Sequence, residues 1–162
     1  MKRLSWKYMA GLVDGEGCID MQAHVDKRDG VFYCRPRLRI TLSGKAGEMM
    51  IPNFLANFGG SKDSGKEPAG NWQQAHTWIL TGATFLRKFL QNVVNHLEIK
   101  KEQARLAIWW LDHCGGKHVP EEVRRFAHEE LKAMKADPQR LSERASAQIE
   151  RMMRQSSIAE AM

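Results

Sequence analysis

The chain has 162 residues, enough for one domain with a substantial hydrophobic core and too few for two domains of ordinary size. Its 25 lysines and arginines exceed its 19 aspartates and glutamates, and the formal net charge of +6 fits a polyanionic partner without identifying it. The sequence contains no apolar run that fits a signal peptide or a transmembrane segment, and its three cysteines do not form a disulfide framework, so we expect a soluble, intracellular protein without membrane contact.

The first predicted element is a helix that begins after Ser5, a favourable N-cap, and ends at Gly15. Apolar residues at helical spacing predict its buried face, namely Leu4, Tyr8, Leu12 and Val13. Glycine within a helix costs about 1 kcal/mol relative to alanine, so Gly11 requires a reason. Ala10, Gly11 and Gly15 would let a second helix approach almost to backbone contact. Glu16 would lie beside its own copy if that helix were identical, and paired carboxylates bind divalent metal.

Two strands connected by a turn are predicted next. Residues 18–25 alternate, with Ile19, Met21, Ala23 and Val25 on the core face and Asp20, Gln22 and His24 on the other. The pair Asp29-Gly30 predicts a hairpin turn. Residues 31–42 then return with Leu38, Ile40 and Leu42 inward and Arg35, Arg37, Arg39 and Thr41 outward. The pattern predicts an antiparallel ribbon with a polar, basic outer face.

The rest of the chain predicts a helix over 47–58, one short strand at most in 61–71, a strand over 72–80, and helices over 82–96 and 100–114. Because Pro52 lies within the first of these helices, we expect the helix to begin near it or to bend there. The second face of strand 72–80 carries Gln73, Ala75, Thr77 and Ile79, opposite Trp72, Trp78 and Leu80. Trp109 and Trp110 are expected in the core. From Pro120 onward, the spacing of apolar residues predicts helices, with a break between them at Asp137-Pro138. We expect the end of the chain, residues 155–162, to be frayed.

Residues 9–17, Met-Ala-Gly-Leu-Val-Asp-Gly-Glu-Gly, resemble the motif that names the LAGLIDADG homing endonucleases. The two are identical at Ala10, Gly11, Leu12, Asp14 and Gly17, similar at Met9, Val13 and Glu16, and Gly15 replaces an alanine that family members often exchange for glycine. An ordinary amphipathic helix with a glycine C-cap is the alternative; a calcium loop through Asp14, Glu16 and Asp20 lacks the required glycine and twelfth-position acid.

The resemblance implies an α+β protein with the αββαββα LAGLIDADG fold, an antiparallel DNA-binding sheet and additional C-terminal helices. We therefore expect a core domain at 1–114 and a helical extension at 115–162 packed on the same domain. Because the motif occurs once, the resemblance implies the single-motif, homodimeric type. Such a protein cleaves both strands of a near-palindromic DNA target with a stagger, and is commonly encoded in an intron.

Site residues follow from the same resemblance. The expected dimer interface consists of Ala10, Gly11, Asp14 and Gly15, with Asp14 hydrogen-bonding to backbone at the seam rather than binding metal. Glu16 and the carbonyl of Gly15 match the family's metal ligands, for Mg²⁺ or another divalent metal such as Mn²⁺. Segment 97–104 resembles the one that supplies a basic active-site residue, and it places Lys100 at that position, with Lys101 as the alternative.

Two further family positions do not match. A polar residue is expected near Lys45 or Ala46, and an arginine near Met50, so either Lys45 or Glu48 substitutes or the set of pocket residues is reduced. We take Glu16, Lys100 and Lys45 as the candidate catalytic residues.

DNA contacts are expected from the outward strand faces and the basic loops, because arginine pairs with guanine, glutamine with adenine, and hydroxyls with either. The predicted DNA-binding residues are Gln22, His24, Arg28, Arg35, Arg37, Arg39, Ser43, Gln73 and Thr77. The basic C-terminal helices either extend the DNA-backbone contacts or form a solvated surface. His113, Cys114 and His118 form a tight cluster, but we expect no structural zinc there.

The alternative function is a LAGLIDADG-fold nucleic-acid-binding protein without nuclease activity, such as an intron-splicing maturase or a DNA-binding regulator. A helical protein that only dimerises through Gly11 and Gly15 would leave the polar alternation of the strands unexplained.

Overall fold

The computed structural model describes residues 3–162. The elements in chain order are α1 (Trp6–Glu16), β1 (Gly17–Val25), β2 (Phe32–Ser43), α2 (Gly44–Phe58), β3 (Ser61–Asp63), β4 (Ala75–Leu80), α3 (Ala83–Val93), α4 (Lys101–His113), α5 (Glu121–Ala136) and α6 (Ser142–Ala161). A 3₁₀ turn, Val94–His96, follows α3. This order confirms the predicted α+β fold with additional C-terminal helices. Among the described residues, no helix combines the length and the apolar character needed to span a membrane.

The four strands form an antiparallel sheet in the order β1-β2-β4-β3, so β1 and β3 lie at its edges. The predicted hairpin turn is confirmed, because the Asp26 amide donates to Val31 at 2.9 Å and the Gly30 amide donates to Asp26 at 2.8 Å. Strand β2 alternates as predicted: Leu38 and Ile40 are fully buried, and the arginines between and beside them are more exposed. In the register of β2 with β4, Leu38 pairs with Leu80 and Ile40 with Trp78.

Packing divides the chain into two compact units. The first unit comprises Met1–Cys18 and Arg37–Glu98, where α1 packs against α3 and α2 packs against β4. Aromatic rings fill its core, with Trp78 lying 5.6 Å from Phe54 and 5.3 Å from Phe89 between ring centroids.

The second unit comprises Ile19–Pro36 and Ile99–Met162, and α4, α5 and α6 pack against one another within it. Its core joins Met21 of β1 to apolar side chains of all three helices, including Leu106, Leu131 and Ile149. As predicted, Trp110 is buried, whereas Trp109 is only half-buried against this cluster.

Two predicted core positions are wrong. Tyr8 is 46% exposed, because the buried side of α1 is formed by Met9, Ala10 and Val13 instead. Val25 is 54% exposed, since it ends β1 at the hairpin turn, beyond the buried part of the strand.

Three predicted boundaries are also wrong. Helix α2 begins at Gly44 and contains Pro52 as an interior residue, so the carbonyl of Glu48 lacks its usual helical donor. Strand β4 begins at Ala75, because residues 72–74 belong to the preceding loop, where Trp72 is 82% exposed. Helix α6 continues to Ala161 where we predicted a frayed end.

Candidate functional site

The junction between α1 and β1 is fixed by close backbone packing. At the start of α1, the Ser5 hydroxyl accepts a hydrogen bond from the Tyr8 amide at 3.2 Å, as the N-cap prediction requires. At the end of α1, where β1 begins, the Gly17 amide donates to the carbonyl of Val13. A Cβ atom at Gly17 would lie 2.6 Å from that carbonyl oxygen and 2.7 Å from the Val13 Cα, so only glycine fits without backbone movement. This turn places Glu16 at the last position of α1.

Glu16 is exposed, and within residues 3–162 its carboxylate makes no hydrogen bond or ion pair. Carboxylate and carbonyl oxygens are the ligands that Mg²⁺ and Ca²⁺ prefer. The described part of the chain contains no group of three or more histidine, cysteine, aspartate or glutamate side chains placed to hold a metal ion. Glu16 and the Gly15 carbonyl offer oxygen atoms of the kind that these metals prefer.

The glycines of α1 line a surface that is open in the single chain. Gly11 and Gly15 are exposed, and a Cβ atom at either position would have no neighbouring atom within 4 Å. Tyr8 and the half-buried Leu12 lie on the same side at helical spacing. Ala10, which we predicted at the dimer interface, does not belong to this surface, because it is fully buried in its own chain.

Asp14 bonds to backbone, as predicted, but within its own chain. Its Oδ2 accepts a hydrogen bond from the Glu98 amide at 2.7 Å. The carboxylate thereby ties the end of α1 to the segment that follows the 3₁₀ turn. Lys100 is two residues beyond Glu98 in the sequence.

The two candidate lysines differ in position within their helices. Lys100 occupies the N-cap position of α4, with a partly exposed side chain that makes no capping bond. Lys45 is exposed in the first turn of α2. Near it, Ala46 and Glu48 are exposed and Met50 is half-buried, so Lys45 and Glu48 are the polar groups available on this turn.

The outward face of the first unit carries residues of β2 and β4. Thr41 pairs with Thr77 across the strands, with 2.9 Å between the two hydroxyl oxygens. Arg37 and Arg39 lie on the same face of β2 and are half-buried, and the Arg39 guanidinium donates to the Cys18 thiol at 3.6 Å. Ser43, the last residue of β2, is exposed and makes no capping bond with α2.

Gln73 lies outside the sheet, contrary to its predicted place on a strand. Gly44 has a φ of +59°, and a Cβ atom there would lie 2.5 Å from the Gln73 Oε1. The Gly44 amide also donates to the Gln74 carbonyl at 2.8 Å. Glycine at this position therefore lets the loop before β4 pack against the start of α2.

The hairpin of β1 and β2 brings three predicted residues together in the second unit. Arg35 donates to the Gln22 side-chain oxygen at 3.1 Å. The His24 ring stacks on Tyr33, with 5.5 Å between centroids and 21° between planes. The alternation of β2 assigned an outward side chain to position 33, but Tyr33 was not among the predicted site residues.

Arg28 already pairs with another residue of the hairpin turn. Its guanidinium pairs with the Asp26 carboxylate at 3.1 Å. The hydrogen bond from Arg28 lowers the pKa of Asp26, and the same contact raises the pKa of Arg28. A phosphate would have to compete with Asp26 for this side chain.

The sequence cluster at the end of α4 is engaged in packing. The His113 ring stacks on Trp109 at 4.7 Å, and its Nδ1 lies 2.8 Å from the Trp109 carbonyl oxygen. Cys114 is buried, and burial raises the pKa of its thiol to about 11. These contacts favour a structural role for both residues.

No protein-family model matches the sequence, and no curated protein sequence is similar to it. Several solved structures have the same fold. The homing endonuclease I-CvuI, in complex with the I-CreI target, is 17% identical with a TM-score of 0.65, covering 91% of this chain and 93% of that one. The archaeal intron-encoded homing endonuclease I-Vdi141I, complexed with DNA, is 16% identical with a TM-score of 0.63, covering 90% and 94%.

A longer structure is also similar. The LAGLIDADG homing endonuclease I-LtrWI, bound to target DNA, is 13% identical with a TM-score of 0.55 over 85% of this chain, but only 44% of that chain is covered. At these identities the likeness concerns the fold.

Proposed function

We propose that this chain, which has the LAGLIDADG homing endonuclease fold, is a homodimeric, metal-dependent DNA endonuclease that makes a staggered double-strand break. The Glu16 carboxylate, which is exposed and has no partner within residues 3–162, carries the proposal. It ends a helix whose open glycine surface can receive a second copy, so two such carboxylates can meet. DNA-bound neighbours of the same fold support DNA as the substrate.

The proposed dimer uses Gly11 and Gly15 as the seam. In the single chain neither glycine is required by packing, although glycine weakens a helix by about 1 kcal/mol relative to alanine. Contact with the same surface of a second copy accounts for them, because small residues permit close approach of helix backbones. A two-fold dimer presents two identical surfaces, which fits a near-palindromic target.

Glu16 and the Gly15 carbonyl of each copy would hold the divalent metal. Bound there, Mg²⁺ would activate water and offset the negative charge of the phosphate that is attacked. Lys100 is proposed to place its ammonium near the same phosphate and stabilise charge as it develops. Lys45 would orient water through hydrogen bonding, in place of the polar residue that the family pattern has there.

Specificity would come from the outward strand faces. Arg37, Arg39 and Thr77 in one unit, and Gln22, His24 and Arg35 in the other, carry donors and acceptors that suit base edges in a major groove. The Arg35–Gln22 hydrogen bond orients both side chains before DNA arrives, which reduces the entropy lost on binding.

Cleavage of a DNA library tests the proposal, because a randomised pool contains suitable targets whatever sequence the protein prefers. Purified protein is incubated with the randomised duplexes in Mg²⁺ and, separately, in Ca²⁺, and the cut ends are sequenced. We expect staggered ends at one near-palindromic sequence in Mg²⁺ only. Intact DNA in Mg²⁺ together with tight binding of structured RNA would instead favour the alternative, a splicing maturase, for which the non-matching Ala46 and Met50 already leave room.

A further inference from the structure

Helix α5 packs against the hairpin of β1 and β2. Near its start, the Arg124 carbonyl accepts a hydrogen bond from the thiol of Cys34 on β2 at 3.4 Å. Near its end, Lys135 Nζ lies 3.8 Å from the carboxylate of Asp20 on β1. The helix therefore contacts both strands of the hairpin, β2 near its start and β1 near its end.

Two cations of α5 reach the outward face of the hairpin. The Arg124 guanidinium lies over the Tyr33 ring, 4.8 Å from its centroid, and Tyr33 stacks in turn on His24. Lys135 meets Asp20, which alternates onto the same face as Gln22 and His24. Long side chains from α5 thus extend the face that we propose for DNA.

Arg124 keeps its hydrogen-bonding capacity. Its side chain makes no hydrogen bond to another residue in the described part of the chain, and its Nε is buried without an acceptor. The adjacent Arg125 is fully engaged, because it pairs with Glu121 at 2.6 Å and lies over the Phe32 ring. Arg124 is therefore a cation positioned by an aromatic ring, and its guanidinium N–H groups can donate hydrogen bonds to an anion.

Lys135 has a different task. Asp20 is mostly buried, with its side chain 14% exposed, and a carboxylate beside the face that we propose for DNA repels phosphate. The ammonium of Lys135 offsets that charge, so it lowers the repulsion without needing a phosphate of its own.

Resting on the proposed function, we propose that α5 forms one wall of the DNA-binding face, where Arg124 binds a backbone phosphate and Lys135 neutralises Asp20. The phosphates beside the hairpin of β1 and β2 would then be held by α5.

The salt dependence of DNA binding tests the role of Arg124. The full-length protein is titrated in Ca²⁺ with a fluorescein-labelled duplex of arbitrary mixed sequence, about 30 base pairs long, because phosphate contacts do not depend on sequence. Each lost phosphate contact reduces the slope of log K against log salt by about 0.9, so Arg124→Gln in both subunits should reduce it by roughly 2. Arg124→Lys should keep most of the slope.

Lys132→Met is the matched control on the same helix, because Lys132 is exposed and, within the described residues, pairs only with Glu129. An equal slope reduction in Lys132→Met and Arg124→Gln, or no reduction in Arg124→Gln, would overturn the phosphate contact. Circular dichroism establishes that each variant is folded. If Arg124→Gln does not fold, Tyr33→Leu, which removes the ring that holds Arg124, should reduce the slope instead, and an unchanged slope there would overturn the inference.

A double-substitution cycle tests Lys135. We expect Lys135→Met to weaken duplex binding severalfold, and Asp20→Asn combined with Lys135→Met to restore it, since the negative charge that Lys135 offsets is then gone. Weakened binding that Asp20→Asn does not relieve would contradict the neutralising role. If the wild-type protein neither binds duplex DNA nor cuts the library, the proposed function itself is overturned. If the wild-type protein cuts the library but Arg124→Gln leaves the salt-dependence slope unchanged, only this inference is overturned.

Discussion

At the residue scale, two acids of one motif perform different tasks. Asp14 and Glu16 are two positions apart, yet Asp14 is bonded to the Glu98 amide whereas Glu16 has no partner within the described residues. Helical geometry separates them, because residues two apart point in directions about 200° apart around the axis. The sequence motif names both acids, and the structure assigns to Asp14 a role in holding its own chain.

We expect Asp14→Ala to lower the free energy of unfolding by roughly 1–2 kcal/mol, since it leaves the Glu98 amide without its charged acceptor. Asp14→Asn should retain most of the stability, because the amide oxygen can still accept the bond. Urea unfolding followed by circular dichroism measures both. Equal losses in the two variants would show that the hydrogen bond is not what Asp14 contributes.

At the element scale, local signals predicted most of the sheet. Alternation fixed the inward Leu38 and Ile40 of β2, and Asp29-Gly30 marked the turn, because each depends on residues close in sequence. The motif named Glu16 as a site residue, and its exposed carboxylate at the end of α1 is compatible with that prediction. The exposed Tyr8 was missed, since a 3.6-residue period does not distinguish a face that packs within the chain from one that stays exposed.

Long-range contacts account for the other misses. Cys34 and the Arg124 carbonyl are 90 residues apart in sequence, and no local pattern could pair them. The start of α2 was missed because Gly44 and Gln73 must be packed together before the need for glycine is visible. Pro52 favoured a later start, but packing of α2 on β4 outweighs the one lost hydrogen bond.

Substitutions at the proposed dimer seam, Gly11 and Gly15, should have opposite effects on the stability of a subunit and on its dimerisation. In an isolated subunit, Gly11→Ala or Gly15→Ala should stabilise α1 by about 1 kcal/mol, because nothing lies within 4 Å of the added methyl group. In the dimer, the same methyl group should weaken association by about tenfold or more, as measured by sedimentation equilibrium.

Gln91→Ala, an exposed substitution on α3, serves as the control and should leave association unchanged. If the wild-type protein is a monomer at all concentrations, or if Gly15→Ala associates more tightly, Gly11 and Gly15 do not form a dimer interface.

The α4–α6 contact gives a pH dependence. Burial acts to raise the pKa of Glu102, but hydrogen bonds from the Ser142 hydroxyl and amide and from Arg105 outweigh it, so the pKa falls below its ordinary value of 4.5. A lowered carboxyl pKa stabilises the folded state above that ordinary value, and the contribution is lost as pH falls through the folded pKa. The carboxylate also caps the start of α6, where Leu141 offers no side-chain cap.

We therefore expect Ser142→Ala to lower the free energy of unfolding by a constant amount from pH 7 down to about pH 5, and by less as pH falls below about 4.5. Urea unfolding across this range measures it, with Ser146→Ala, which lies on the same helix and bonds only to a local carbonyl, as the control. A difference that grows with acidity would contradict the assignment.

At the scale of the whole molecule, neighbours of this fold come in two lengths. This chain covers 93–94% of I-CvuI and I-Vdi141I, but only 44% of I-LtrWI. The fold thus occurs in neighbours of both lengths, and the proposal of a homodimer rests on the open glycine surface of α1 and the exposed Glu16. In that proposal, the second carboxylate of the metal site would come from the second copy.

Glu16→Gln offers the most direct test of the central claim, that Glu16 holds the metal of a DNA endonuclease. The variant keeps the size of the side chain and removes its charge, so we expect duplex binding and dimerisation to match those of the wild type. Mg²⁺-dependent cleavage of the target selected from the library should fall by at least a thousandfold. That loss corresponds to an increase on the order of 4 kcal/mol in the activation free energy. Cleavage at the wild-type rate by Glu16→Gln would contradict the account.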